Sequence, residues 1–167
     1  MKRRMASLLL VSIFSACFVR AASPLQQTDK RIEQLQKQRQ KLKREKDPVG
    51  HTKTQIEISE ILLTFVADAI KNADFDEMQK QLDEYCAVID DALQTMMNTG
   101  RDANRHPSGF KDLEIALRRQ TVKLDGFGQA LTYDHRDPVL KAKASASGIR
   151  DRLIKALLIE DIHAGKN

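Results

Sequence analysis

Between residue 51 and the C-terminus, apolar residues recur at three- and four-residue intervals, the period of an amphipathic helix. Residues 51–99 contain neither proline nor glycine, yet phase divides them into two elements. At about 100° per residue, Ile58, Ile61, Leu62, Phe65 and Ala69 share one face, while Met78, Leu82, Tyr85, Ile89, Leu93 and Met96 cluster about 200° away. One straight helix would carry apolar stripes on opposite sides. A break at Asn72-Ala73-Asp74 lets both stripes face one core. The pattern therefore predicts two antiparallel helices, about Thr54 to Lys71 and Phe75 to Asn98. Asp74 and Glu77 would form a capping box at the turn, and Gly100 a C-terminal stop. Because Ala73 falls between the helices, a proline there is expected to be tolerated far better than one at Ile89.

A third stripe, Phe110, Leu113, Leu117, Leu124 and Leu131, keeps its phase through Gly126 and Gly128, so the helix is carried to about Thr132. Each interior glycine weakens it by about 1 kcal/mol. Asp137-Pro138 opens a last helix with Val139, Ala142, Ala146, Ile149, Leu153 and Leu157 on one face. Its end, LIKALLIEDI, is apolar on more than one side and is expected to be well buried, with the final residues fraying.

Ahead of these four stripes, residues from about Gln26 to Lys46 make a more polar helix. Leu25, Ile32, Leu35 and Leu42 occupy a coiled-coil-like seam that Thr28 and Arg39 interrupt. Asp47-Pro48-Val49-Gly50 is read as the break after it. The expected fold is all-α: an up-down bundle of four amphipathic helices preceded by a basic N-terminal helix. The divisions are 1–21 as a signal peptide, 22–50 as the basic helix and linker, 51–163 as the bundle, and 164–167 as a disordered tail.

The N-terminal assignment rests on three cations at Lys2, Arg3 and Arg4, an uncharged run from Met5 to Val19, and small residues after it. That run is short for a membrane-spanning helix, and the arrangement matches a secretory signal peptide. Val19-Arg20-Ala21 supports cleavage after Ala21. A rival reading is Ser15-Ala16-Cys17, which resembles the lipobox of bacterial lipoproteins and would make Cys17 a lipidation site. Phe14 departs from that pattern, where an aliphatic residue is expected. An uncleaved anchor is the third reading. The expected address is periplasmic or secreted, or membrane-attached if Cys17 is lipidated.

Charge changes meaning once the leader is set aside. The whole chain is +5, but Lys2, Arg3, Arg4 and Arg20 supply four of its 28 basic residues and the leader holds no acid. The chain beyond the leader is nearly neutral, which removes the electrostatic footprint of a nucleic-acid-binding domain. The residual charge is segregated: Asp29 to Lys46 carries +5, and everything after it −4. The expected partners are an envelope protein, an anionic polymer or a lipid surface, not nucleic acid, with a homo-oligomer through the basic helix as a further reading. Only four apolar residues lie in that helix, too few for insertion into a membrane, so the contact would be electrostatic.

Chemistry is sparse. Beyond the leader Cys86 stands alone, so no intrachain disulfide framework exists, and its apolar setting suits a small core residue. A di-iron bundle needs two Glu-x-x-His pairs, and Glu160-x-x-His163 is the only one. His51, His106 and His135 fall in predicted linkers, where solvated histidine is the usual case. No glycine-rich phosphate loop or nucleophile elbow occurs. No catalytic residue, cofactor or metal ligand is assigned, and the chain is expected to act by binding or scaffolding. A small-anion or metal-ion sensor and an enzyme of unknown type are the alternatives. The least bland cluster is Arg101 and Arg105 in a loop, with Arg118 and Arg119 on the following helix, residues suited to bidentate anion contacts. The interspersed Asp102, Asp112 and Glu114 offer the simpler reading of mutual neutralisation.

Overall fold

The computed structural model describes residues 24–158, with side chains from Lys30 onward. Five helices run in order: α1 (Pro24–Arg44), α2 (Pro48–Lys71), α3 (Phe75–Met97), α4 (Phe110–Ala130) and α5 (Asp137–Leu158), with one 3-10 turn at Tyr133–His135. No strand occurs among the described residues. Two hairpins, α2–α3 and α4–α5, pack against each other through α3 with α5 and α2 with α4, and α1 lies along α2. This is the all-α bundle with a preceding helix that the pattern predicts. The proposed leader, Cys17, Leu25, the Glu160–His163 pair and the tail all fall outside the described side chains.

The four stripes converge on one core. Every residue of the α3 and α4 stripes is buried, including Leu131 just past the end of α4. Tyr85, Phe110, Leu62 and Leu117 are among the largest fully buried side chains. Helix α2 is covered on more sides than its stripe predicts, because it touches α1, α3 and α4. Thr52, Thr54, Gln55 and Ser59 are therefore buried too.

Two boundaries differ from the sequence reading. Helix α1 ends at Arg44, and Pro48 is the first residue of α2, six residues earlier than expected. A proline suits that position because its missing N–H would lack an intrahelical partner anyway. Asp47 caps the start by accepting the Gly50 N–H at 2.9 Å. His51 is consequently helical and half-buried, and His135 stacks on Phe75 with ring centroids 3.6 Å apart; neither is a solvated linker histidine. Of the described residues in the last turns of α5, Leu153 is buried and Ala156 and Leu157 pack against the core, while Leu158 is 73% exposed.

The α2–α3 turn sits where phase places it. The Asp74 N–H donates to the Ala69 carbonyl and the Ala73 N–H to the Ile70 carbonyl, the two bonds of a Schellman motif. Ala73 occupies the left-handed position of that motif, with φ +53°. Asp74 accepts the Glu77 N–H at 3.0 Å, while the Glu77 carboxylate turns to Lys80 and Gln81, so only half of the expected capping box is made. Proline does not fit at 73 in this geometry, because its ring fixes φ near −65° and it lacks the N–H that the Ile70 carbonyl accepts. Ala73→Gly should instead be neutral or stabilising by up to about 1 kcal/mol, because only glycine takes positive φ without strain. Ala73→Pro should destabilise by about 2 kcal/mol or more in urea denaturation. Equal tolerance of both would contradict this turn.

Gly126 lies exposed inside α4 with nothing within 4 Å of a Cβ built on it. Gly126→Ala should raise stability by about 0.5–1 kcal/mol through helix propensity alone. No gain in thermal denaturation would mean that this stretch is not helical in solution.

Candidate functional site

Two sides of α1 carry different chemistry. Leu35 and Leu42, seven residues apart, form the row that meets the bundle, and Leu35 is buried to 8% exposure. Flanking cations reach bundle acids: Arg31 pairs with Asp68 and lies over the Phe65 ring, Arg39 pairs with Glu84, and Lys41 stands 3.9 Å from Glu57. The charge segregation in the sequence thus becomes, in part, an internal docking contact. Each pair is partly exposed, so each adds little, about 0–1 kcal/mol. The apolar row carries the rest.

The opposite side presents Lys30, Lys37 and Arg44, again at seven-residue spacing and all exposed. On a helix, Lys37 lies about 200° from Leu35, and successive members of the row are about 10.5 Å apart. Glu33 and Gln40 flank this row, and no apolar residue interrupts it. Lys37, Lys41 and Arg44 also line a shallow depression with Gln38, Gln40 and Glu45. The outer side of α1 is a cationic ridge on a docked helix.

Between α1 and the α2–α3 hairpin runs a half-open groove of about 490 Å³. Ile32, Leu35, Phe65 and Ala69 form its apolar part; Asp68, Asp74, Glu77 and Glu84 outnumber Arg39 and Lys80 among its charges. Ile32 remains 44% exposed there although it belongs to the seam predicted for α1. Hydrogen bonds from Gln81 and from Lys80 hold the Glu77 carboxyl below the usual carboxylate range, so it is ionised at neutral pH. Gln81 is only 8% exposed, and its Oε1 has no hydrogen-bond partner. An ionised carboxylate only accepts, so the Gln81 amide nitrogen must face Glu77 and Oε1 must face away from it.

The arginines singled out in the sequence are not gathered at one point. Arg105 pairs with Asp102 in its own loop at 3.3 Å, and Arg101 is exposed. Arg118 lies about 12 Å along α4 from Phe110, by its rise per residue, and stands 4.0 Å from Glu114, which Arg150 also engages at 2.9 Å. Arg119 turns to Glu60 of α2 at 3.1 Å. His106 is exposed in the loop. Carboxylates therefore neutralise much of this cluster.

Cys86 is half-buried beside the core. Burial pushes its thiol pKa up, against a smaller opposing effect of a hydrogen bond with Ser145, which leaves little thiolate at neutral pH. A polar chain runs through the interior that the pattern did not announce as a unit. The Tyr85 hydroxyl donates to Gln120 Oε1 at 3.1 Å, Gln120 Nε2 donates to Ser59 Oγ at 2.8 Å, and Ser59 donates to the Ile56 carbonyl. Burial raises the Tyr85 pKa well above its ordinary value, so the phenol stays protonated. One signal was available, since Gln120 falls in the phase of Leu113, Leu117 and Leu124.

Among the described residues, no group of three or more His, Cys, Asp or Glu is placed to hold a metal ion. No described helix is long and apolar enough to cross a membrane. No protein-family model matches this chain, and no curated protein or solved structure shows significant similarity to it.

Proposed function

We propose that this is an exported, non-enzymatic binding protein whose helix α1 contacts an anionic envelope surface through its outer cationic ridge. The observation that carries this reading is the division of α1 into two rows. Leu35 and Leu42 hold the helix to the bundle, while Lys30, Lys37 and Arg44 are presented outward in a line. A line of cations without an apolar neighbour suits phosphate-bearing headgroups or a polyanionic polymer, not insertion. Each cation near an anionic membrane contributes about 1 kcal/mol, so this ridge supports a weak, reversible contact. The leader supplies the address on which the reading depends, and the bundle supplies a rigid mount.

The test uses the chain from Ala22 onward, which retains every described residue without the apolar leader. It should co-sediment with vesicles containing phosphatidylglycerol and not with purely zwitterionic ones. Raising ionic strength from about 0.01 M to about 1 M shrinks the screening length from about 30 Å to about 3 Å and should release it. Binding to zwitterionic vesicles, or binding that survives high salt, would argue against the electrostatic ridge.

A further inference from the structure

We propose that the chain self-associates through a contact between the outer side of α1 in one copy and the exposed side of α3 in another. Helix α3 turns Asp76, Lys80, Asp83, Ala87 and Asp90 to solvent, opposite its buried stripe. Asp76, Asp83 and Asp90 repeat every seven residues, as Lys30, Lys37 and Arg44 do on α1. Each row therefore spans about 21 Å, with its members about 10.5 Å apart. Among the described residues none of these six charges forms an ion pair, and Asp83 accepts only from Gln79 Nε2.

Rows of opposite sign alone suit many partners, and the exceptions in each row select a second copy. Glu33 is the acid in the cationic row, and Lys80 is the cation in the acidic row; both are exposed. With the helices parallel, Lys30 meets Asp76, Lys37 meets Asp83 and Arg44 meets Asp90. Glu33 and Lys80 then fall within one residue's rise of each other, about 1.5 Å along the axis. Turned antiparallel, the same rows set Glu33 against Ala87 and Lys80 against Gln40. A uniform polyanion offers Glu33 only repulsion, whereas α3 of a second copy offers it a cation. Lys80 already reaches Glu77 in its own helix at 3.0 Å, so in the contact it bridges two carboxylates. Within one chain α1 and α3 run the same way. Helix α1 is antiparallel to α2, with Arg31 on Asp68 and Lys41 on Glu57, and the turn at Asn72 reverses the chain again. A two-fold axis along the bundle would therefore make the parallel contact twice, in the isologous manner of a homodimer. A copy docked there covers the ridge, so self-association and contact with an anionic surface compete.

The test is sedimentation velocity of the chain from Ala22 at about 0.01 M ionic strength and up to about 1 mM protein, where weak surface contacts are populated. The parent should associate with rising concentration and return to monomer at about 1 M salt. Glu33→Lys and Lys80→Glu each increase the charge of their row, so mere attraction between opposite rows would strengthen in both. The paired register predicts instead that each weakens association about threefold or more, and that the double variant recovers the parent's value. Lys37→Glu should weaken association at least as much, and adding Asp83→Lys should restore it. A parent that is monomeric throughout, or association unchanged or strengthened in Glu33→Lys or Lys80→Glu, would overturn the proposal. Failure of the double variants to recover would overturn it as well. Vesicle co-sedimentation is separable, because Glu33→Lys adds a cation to the ridge and should bind phosphatidylglycerol vesicles at least as well as the parent.

Discussion

Replacing Gly109 with alanine should destabilise the protein by about 2–5 kcal/mol. Two strains combine there. The residue before α4 has φ +81°, a conformation that L side chains rarely adopt. A Cβ at this position would also stand 2.6 Å from Met96 Sδ and 2.7 Å from its Cε. Met96 is fully buried at the end of α3, so its thioether has little room to withdraw. Gly100 separates the two contributions. It has φ +64° with nothing within 4 Å of an added Cβ, so Gly100→Ala carries backbone strain alone, about 1–2 kcal/mol. Urea denaturation of both variants measures the difference. A Gly109→Ala variant no less stable than Gly100→Ala would mean that the loop does not press against Met96.

Gln120→Met should cost about 2–3 kcal/mol although it keeps volume and helix propensity, because buried polar groups lose their partners. The Tyr85 hydroxyl is left without an acceptor, while Ser59 keeps its bond to the Ile56 carbonyl. Tyr85→Phe alone should also destabilise, since it leaves Gln120 Oε1 unpaired. Together the two changes remove both ends of the bond and should destabilise by less than their sum, with a coupling of about 1–2 kcal/mol. Strict additivity in thermal or urea unfolding would show that the chain from Tyr85 to Ser59 is not formed in solution.

The bundle is legible because its signals are periodic and mutually consistent. The phase jump between Ala69 and Met78 locates the α2–α3 turn from sequence alone, and the Schellman bonds at Ala69 and Ile70 place it there. Periodicity says nothing of Ala73's positive φ, because a left-handed residue leaves no trace in an apolar pattern. Pro48 and Gly50 read as a break because both interrupt helices in general. Here the proline sits at the first helical position and Glu45 folds over Gly50, so local capping outweighs composition. The sites are less legible. That α1 is basic is plain from the sequence, but which cations face inward depends on the docking register of Leu35 and Leu42. The groove is invisible in one dimension, since α1, α2 and α3 all contribute to it. Gln81 gives no sign in the sequence that its oxygen lacks a donor.

The central claim is that α1 uses one side to belong to the fold and the other to reach an anionic surface. The direct measurement is a paired one on the variant Lys30→Gln, Lys37→Gln, Arg44→Gln, whose replacements keep helix propensity near that of lysine and arginine. Its thermal midpoint should match the parent chain within about 2 °C, because exposed cations outside ion pairs contribute little to stability. Its co-sedimentation with phosphatidylglycerol vesicles at low salt should be lost. A variant that binds vesicles as well as the parent, at unchanged stability, would contradict the assignment of the outer ridge as the contact surface.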